Sequence, residues 1–255
     1  MNKIRDNVSV GDLLSQSPSF ADELWQLKLS IAPKKHWYPY DILGNLVHLN
    51  SVVPKELDNF NLLAANHTIA DIGAADGDLS FLLARNGFKV DMIDWPQTNW
   101  NGLSGARALS KHFRPRPSVH EIDLDSYFVL PKKSYSLVIF LGILYHLQNP
   151  YFVLKNLSRH SSYLFLSTRI ARITDDTLVR LNDAPVAYLV DPEETNNDPT
   201  NYWIFSLSGL RRLIERTGWK IISETTVGRV EGDSTPANPD LDERAFFLLQ
   251  SAQNQ

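Results

Sequence analysis

The sequence predicts an α/β fold: a mostly parallel seven-stranded sheet with an antiparallel last strand and an N-terminal helical extension. Three observations carry this expectation. From about residue 66 onward, short apolar runs alternate with amphipathic segments, the pattern of a parallel sheet with helices on both faces. The first apolar run enters a glycine turn at Gly73 and Gly77 and then a helical pattern. The last two runs are joined by a stretch holding Gly228, Gly232, Pro236 and Pro239, too loop-like for a crossover helix, so they should pair antiparallel.

Taken in order, residues 1–65 read as a helical and aromatic extension. Ser19 is the expected N-cap of a first helix, with Asp22 three residues on in the manner of a capping box. Phe20, Leu24, Leu27 and Ile31 give it one apolar face, and Pro33 stops it. Pro54 opens a second helix ending before His67. The expected strands are Ile69–Ile72, Val90–Ile93, Val119–Ile122, Leu137–Leu141, Tyr163–Leu166, Ile221–Val227 and Ala245–Leu249. Helices lie between them: Leu79–Arg85 before Gly87, Pro150–Leu157, and Leu207–Thr217 closed by Gly218. The expected second domain, residues 66–255, carries a lid-like insertion at 171–200. That stretch holds Asp175, Asp176, Asp183, Asp191, Glu193, Glu194 and Asp198 against Arg172 and Arg180. It follows the fifth strand, on the side where open α/β sheets bind ligands.

Composition narrows the chemistry. Among 255 residues there is no cysteine, which excludes a disulfide framework, cysteine-ligated zinc or iron–sulfur clusters, and a thiolate nucleophile. Lys and Arg number 25 against 29 Asp and Glu, for a net charge of −4. No global basic excess marks a phosphate-tracking surface. Nucleic acid is therefore not the expected partner, although Arg107, Lys111, His112, Arg114 and Arg116 form a local basic run. No apolar run reaches the ~20 residues of a membrane span, and the start MNKIRDNVSVGD has no signal-peptide pattern. A soluble, cytoplasmic protein is expected. The histidines show no metal-ligand spacing.

The turn Asp71-Ile72-Gly73-Ala74-Ala75-Asp76-Gly77-Asp78 discriminates between cofactors. A dinucleotide needs G-x-G-x-x-G and tolerates no crowd of carboxylates beside its pyrophosphate. This turn has two glycines and three acids, and no Gly-Lys-Ser/Thr follows. A cofactor that is cationic and free of phosphate fits better, and S-adenosylmethionine is such a molecule. Asp71 would face its amino-acid end, while Gly73, Ala74 and Gly77 let the backbone approach. Asp94, ending the second strand, would accept from both ribose hydroxyls. Trp95 would lie against the adenine, and Asp123 with Leu124, after the third strand, would reach the adenine edge.

With these motifs the sequence resembles a class I S-adenosylmethionine-dependent methyltransferase, from about residue 65 to 250. The resemblance implies a Rossmann-like methyltransferase fold, with Leu141 and Gly142 contacting the cofactor through backbone. Asp71–Gly77, together with Leu141-Gly142-Ile143-Leu144-Tyr145-His146, resembles the branch that includes tRNA wobble-uridine methyl- and carboxymethyltransferases. The aromatic run His36-Trp37-Tyr38-Pro39-Tyr40 and the segment Asn201-Tyr202-Trp203 are similar to that branch as well. Its carboxymethyl-transferring members hold an extra cofactor carboxylate with basic groups and a tyrosine, which Tyr145 matches. The basic partners are not evident, and the acidic stretch after strand five departs from a tRNA enzyme. A small-molecule methyl acceptor is the favoured expectation. A tRNA-modifying enzyme, or a methyltransferase-fold protein that binds without turnover, is the alternative. His146 is the expected catalytic base, because histidine titrates near neutrality. Trp37, Tyr38, Tyr145 and Tyr202 are the expected substrate-side residues.

Overall fold

In the computed structural model, which describes residues 8–32, 36–57, 63–64, 67–175, 179–229 and 233–253, the first helix starts well before the expected cap. α1 spans Val10–Ile31 and is capped by Ser9, whose hydroxyl accepts from Asp12 N–H while the Asp12 carboxylate accepts from Ser9 N–H. Ser19 is therefore an interior residue. Pro18 stands inside the helix, where a proline removes one backbone hydrogen bond. The carbonyl that its missing N–H would have bonded, that of Leu14, instead accepts from the Ser17 hydroxyl at 2.9 Å. The buried stripe is Val10, Leu13, Ser17, Phe20, Leu24 and Lys28, so Lys28 takes the inward position expected of Leu27 and Ile31. Pro33 lies outside the described residues. A short helix α2, Asn45–Val52, was not expected. Beyond Pro54 the described chain makes a single 3₁₀ turn, Lys55–Leu57, and the rest of the helix expected there falls mostly on residues that are not described.

The chain divides into two compact units, Met1–Ile139 and Phe140–Gln255. In the first, strands β1 (Thr68–Ile72), β2 (Lys89–Asp94) and β3 (Ser118–Glu121) pair in parallel, and the order runs β3-β2-β1-β4. β4 (Tyr135–Leu141) begins in this unit and ends in the next. Helix α3 (Asp78–Arg85) follows β1, and the short α4 (Ser104–Leu109) follows β2. Ile69, Ala70, Ile72, Met92 and Ile93 are all buried, the near-continuous burial of strands covered on both faces.

The second unit is built on β5 (Ser161–Ile170), β8 (Trp219–Gly228) and β9 (Glu243–Ser251). β9 runs antiparallel to both neighbours, as the Gly/Pro-rich connection requires. Helix α5 (Pro150–His160) has Asn149 as its cap, the side chain accepting from Phe152 N–H, with Pro150 at the first position. Helix α6 (Leu207–Arg216) is capped by Ser206 and leaves through Gly218 at φ +91°. Two short strands, β6 (Ala187–Leu189) and β7 (Trp203–Phe205), pair antiparallel with each other, and β7 meets β5 at Ile170–Phe205. These two were not expected, being too short to show alternation. All seven expected strands are present, so the mostly parallel α/β fold with an antiparallel final strand holds. No described helix is long and apolar enough to cross a membrane.

Candidate active site

The first unit builds a turn whose backbone only glycine accepts at its last position. Gly73, Ala75 and Gly77 all have positive φ, +70°, +53° and +89°. A Cβ on Gly77 would stand 2.4 Å from Met92 Sδ, so β2 closes directly over the turn. Gly73 N–H donates to Ile93 O at 2.8 Å and Gly77 N–H to Ala74 O at 2.7 Å. Asp94 completes the clasp. Its carboxylate accepts from Ala75 N–H at 3.1 Å, from Trp95 N–H at 2.7 Å and from Asn99 Nδ2 at 2.8 Å. Burial nonetheless raises its pKa above the ordinary value, against the effect of these donors.

Asp71 is buried at the end of β1, where the Ser80 hydroxyl donates to it at 2.6 Å. Burial lifts its carboxyl to about 6; the Ser80 bond opposes this, while the charges of Asp94 and Asp78 add to it. Asp71, Gly73, Ala74, Gly77, Asp94 and Trp95 thus share one turn region. Asp123 and Leu124 stand after β3. There the Asp123 carboxylate accepts from Asp125 N–H at 2.9 Å, and Leu124 is buried. One Asp123 oxygen is therefore engaged in its own turn.

The other two acids of the turn are matched within the chain. Lys28 Nζ bonds both oxygens of Asp78 at 2.9 Å and lies 3.6 Å from Asp76. Asp76 also accepts from Tyr38 N–H and Asn101 Nδ2, each at 2.8 Å. Burial still raises the Asp78 pKa, with Lys28 opposing it. This corrects the reading of all three acids as free negative charge: Asp76 and Asp78 fasten α1 and the aromatic segment to the turn. Trp37 is buried, its ring 5.7 Å from Lys28 Nζ and its Nε1–H donating to Ala32 O. Tyr38 packs edge-on against Tyr40 and Trp100. Lys28 was missed because it sits four residues after Leu24 on an apolar stripe; its position there was the available signal.

The donor set suits S-adenosylmethionine. Near the turn stand buried carboxylates and backbone groups, and Lys28, the cation among them, is engaged by Asp76 and Asp78. That arrangement offers acceptors to a diol and an ammonium, and no free countercharge to a pyrophosphate.

The second unit carries the Tyr-His motif. Gly142, at φ +70°, donates its N–H to Ser167 O at 3.0 Å. Tyr145 packs with Ala171, Leu181, Val190 and Ile204. Its carbonyl accepts from Tyr202 N–H at 2.8 Å, and the Tyr202 hydroxyl accepts from Gln148 Nε2. His146 Nδ1 lies 2.9 Å from Thr200 Oγ1 and 3.2 Å from Thr200 O. Thr200 Oγ1 in turn donates to Asp198 at 2.6 Å. With the threonine hydroxyl proton spent on Asp198, and a carbonyl able only to accept, Nδ1 must carry the imidazole proton. Nε2 is left with its lone pair. Burial lowers the His146 pKa, partly offset by Asp198 and the Thr200 backbone, and Arg244 lowers it further. Thr200 and Asp198 belong to the acidic stretch, which therefore supplies the histidine's partners. Spacing gave no sign of this, since 54 residues separate His146 from Thr200.

An α/β sheet whose first strand ends in an acid-bearing glycine turn clasped by the second strand's terminal carboxylate defines a class I S-adenosylmethionine-dependent methyltransferase. The sequence profile described as a methyltransferase domain matches residues 48–224, more than half the chain, and the chain belongs to that family. No curated protein matches it by sequence. Among solved structures, the N-terminal domain of EvdMO1, crystallised in the presence of SAH and D-fucose, superposes with a TM-score of 0.58 at 14% identity, covering 91% of this chain and 97% of that one. A Listeria monocytogenes protein described as a candidate S-adenosylmethionine-dependent methyltransferase gives 0.52 at 15%, covering 83% and 99%. The MccD protein gives 0.51 at 9%, covering 72% and 89%. At these identities the likeness is one of fold.

Proposed function

We propose that the chain transfers a methyl group from S-adenosylmethionine to a small-molecule acceptor, with His146 as the base that takes the acceptor's proton. The observation that carries this is the chain His146 Nδ1–Thr200 Oγ1–Asp198. It fixes the tautomer with Nε2 free, and Asp198 stabilises the imidazolium that forms. The bound cofactor supplies an activated methyl on a sulfonium. Asp71 holds the cationic amino end, Asp94 the ribose, and Gly73, Ala74, Gly77, Leu141 and Gly142 offer backbone; Trp95, Asp123 and Leu124 flank the adenine. The acceptor exchanges its proton for the methyl, and the proton rests on His146. Tyr145 and Tyr202 line the acceptor side. Trp37 and Tyr38 serve that side by anchoring the N-terminal aromatic segment.

The small-molecule reading is supported by the engagement of two arginines of the basic run within the chain. Arg107 pairs with Glu121, and Arg114 folds back onto the carbonyls of Ser110, Lys111 and Phe113, which weakens the run as a track for a nucleic-acid backbone. EvdMO1, of similar fold, was crystallised with a free sugar present. The test uses labelled S-adenosylmethionine with a cell extract split into a low-mass filtrate and total RNA. Label is expected in the filtrate and lost with His146→Asn. Label confined to RNA refutes the small-molecule acceptor.

A further inference from the structure

The first unit holds a second concave site, at the edge of the sheet opposite the cofactor turn. Lys89 opens β2 and Asp94 closes it, about 17 Å apart at a rise of about 3.3 Å per residue. At the Lys89 end lies a cleft of about 660 Å³, a size within the ~300–1,000 Å³ usual for small-ligand sites. Four cations line it, Lys89, Arg114, Arg116 and Lys132, against a single acid, Asp91.

The acid is already matched. Asp91 stands two residues after Lys89 on β2 and pairs with Ser118 of β3, so the three share one face of the sheet. Its buried carboxylate meets Lys132 Nζ, accepts from the Tyr135 hydroxyl at 2.8 Å and lies 3.3 Å from His120 Nε2. Lys132 is thereby spent within the cleft wall, and Asp91 offers little repulsion to an incoming anion.

Three cations remain. Arg114 is held from one side: Nη1 donates to the Phe113 carbonyl at 2.6 Å and to those of Ser110 and Lys111 at 3.3 Å. Its bonds to the described residues all run through that nitrogen, which leaves Nε–H and Nη2–H as a fork. Arg116 and Lys89 are exposed, and their side chains have no hydrogen bond or ion pair to a described residue. The chain fixes where the two arginines stand. Phe113 is buried and stacks on Phe81 at 4.6 Å between ring centroids, and Pro117 is buried at the other end of the segment. Between these anchors Arg114, Pro115 and Arg116 are exposed, and a proline fixes φ on either side of Arg116. Little backbone freedom is left to lose when a ligand binds.

We infer that this cleft binds the di- or triphosphate group of a small molecule through Arg114, Arg116 and Lys89. A singly charged acid would leave two of the three cations uncompensated. A pyrophosphate carries enough charge and enough oxygens for the Arg114 fork and both other side chains. The cations gather in one cleft rather than following a stripe, which favours a compact ligand over a nucleic-acid strand. Arg107, the first arginine of the basic run, pairs with Glu121 and takes no part in the cleft. The carboxylates of the β1 turn repel the group that the cleft attracts, so the two edges of the sheet sort ligands by sign.

The experiment is calorimetric titration of the full chain with inorganic pyrophosphate and tripolyphosphate at fixed ionic strength, with sulfate as the control anion. Saturable binding is expected, with either polyphosphate at least about tenfold tighter than sulfate. Lys89→Gln and Arg116→Gln strand no acid; each should weaken binding about tenfold, and the double variant should abolish it. S-adenosylhomocysteine binding should be unchanged in these variants and indifferent to saturating pyrophosphate. No polyphosphate binding, equally tight sulfate, or affinity that survives the double variant overturns the site. So does competition between pyrophosphate and S-adenosylhomocysteine, which would put the anion at the cofactor turn. If a single-stranded RNA oligonucleotide displaces pyrophosphate and loses its own affinity in the same variants, the cleft is a nucleic-acid contact and the small-ligand assignment falls.

Discussion

Asp71→Asn is expected to make the protein more stable at neutral pH and a poorer binder of its cofactor. The Asp71 carboxyl is raised from 3.8 to about 6 in the folded chain, chiefly by burial. A raised acid binds its proton more tightly folded than unfolded, so its contribution is fully present below pH 4 and lost as pH climbs through about 6. The gap corresponds to about 3 kcal/mol at 1.36 kcal/mol per pH unit. Asparagine keeps an oxygen for the Ser80 hydroxyl, which donates at 2.6 Å, and removes the charge. Urea unfolding of both proteins from pH 3.5 to 7.5 isolates this one group, because the other acids cancel in the difference. The variant should match the wild type at the acid end and exceed it by about 3 kcal/mol at pH 7. S-adenosylhomocysteine affinity should fall about tenfold with the loss of the amino group's countercharge. A difference that does not change with pH, or a variant less stable at pH 7, would refute the account of Asp71 as a charge held at a stability cost for binding.

Lys28→Met should destabilise by about 3–5 kcal/mol, since it strands the Asp78 and Asp76 carboxylates, and Lys28→Met with Asp78→Leu should recover much of that; urea midpoints decide it. Asp94→Ala should abolish detectable S-adenosylhomocysteine binding by calorimetry while circular dichroism stays unchanged. Gly77→Ala should cost about 1–3 kcal/mol from its φ and the Met92 contact, read as a lowered melting temperature. For His146, whose pKa is lowered by burial, the acid limb of the rate profile should fall below 6.5, and Thr200→Val should move that limb and lower kcat more than it raises KM.

β1, β4 and β9 were legible as largely buried, mostly apolar runs, whereas β3, which buries no residue fully, was legible by its place in the strand–helix alternation. β6 and β7 were not, since three residues each carry no period to detect. Among site residues, those in the β1 turn and at the β2 end could be read because local chain geometry alone brings them together. Lys28 and Thr200 could not be read that way. Lys28 reaches Asp78 across 50 positions, and Thr200 meets His146 across 54. The Ser19 cap failed in the opposite sense: Pro18, a breaker by local rule, is carried inside a long helix where a serine hydroxyl takes over the orphaned carbonyl.

The tie of the acidic stretch to Tyr145 runs through main chain, Tyr202 N–H to Tyr145 O, and Val190 N–H to Tyr202 O extends it, whereas its tie to His146 runs through the Thr200 and Asp198 side chains. Peptide groups make main-chain bonds whatever side chains they carry. Provided the small apolar cluster around Tyr145 and the Thr200–Asp198 pair persist, the exposed residues of this stretch can be exchanged without disturbing the histidine. The segment thus divides its positions: backbone and the Thr200–Asp198 pair keep His146 in register, and the exposed positions are free to vary.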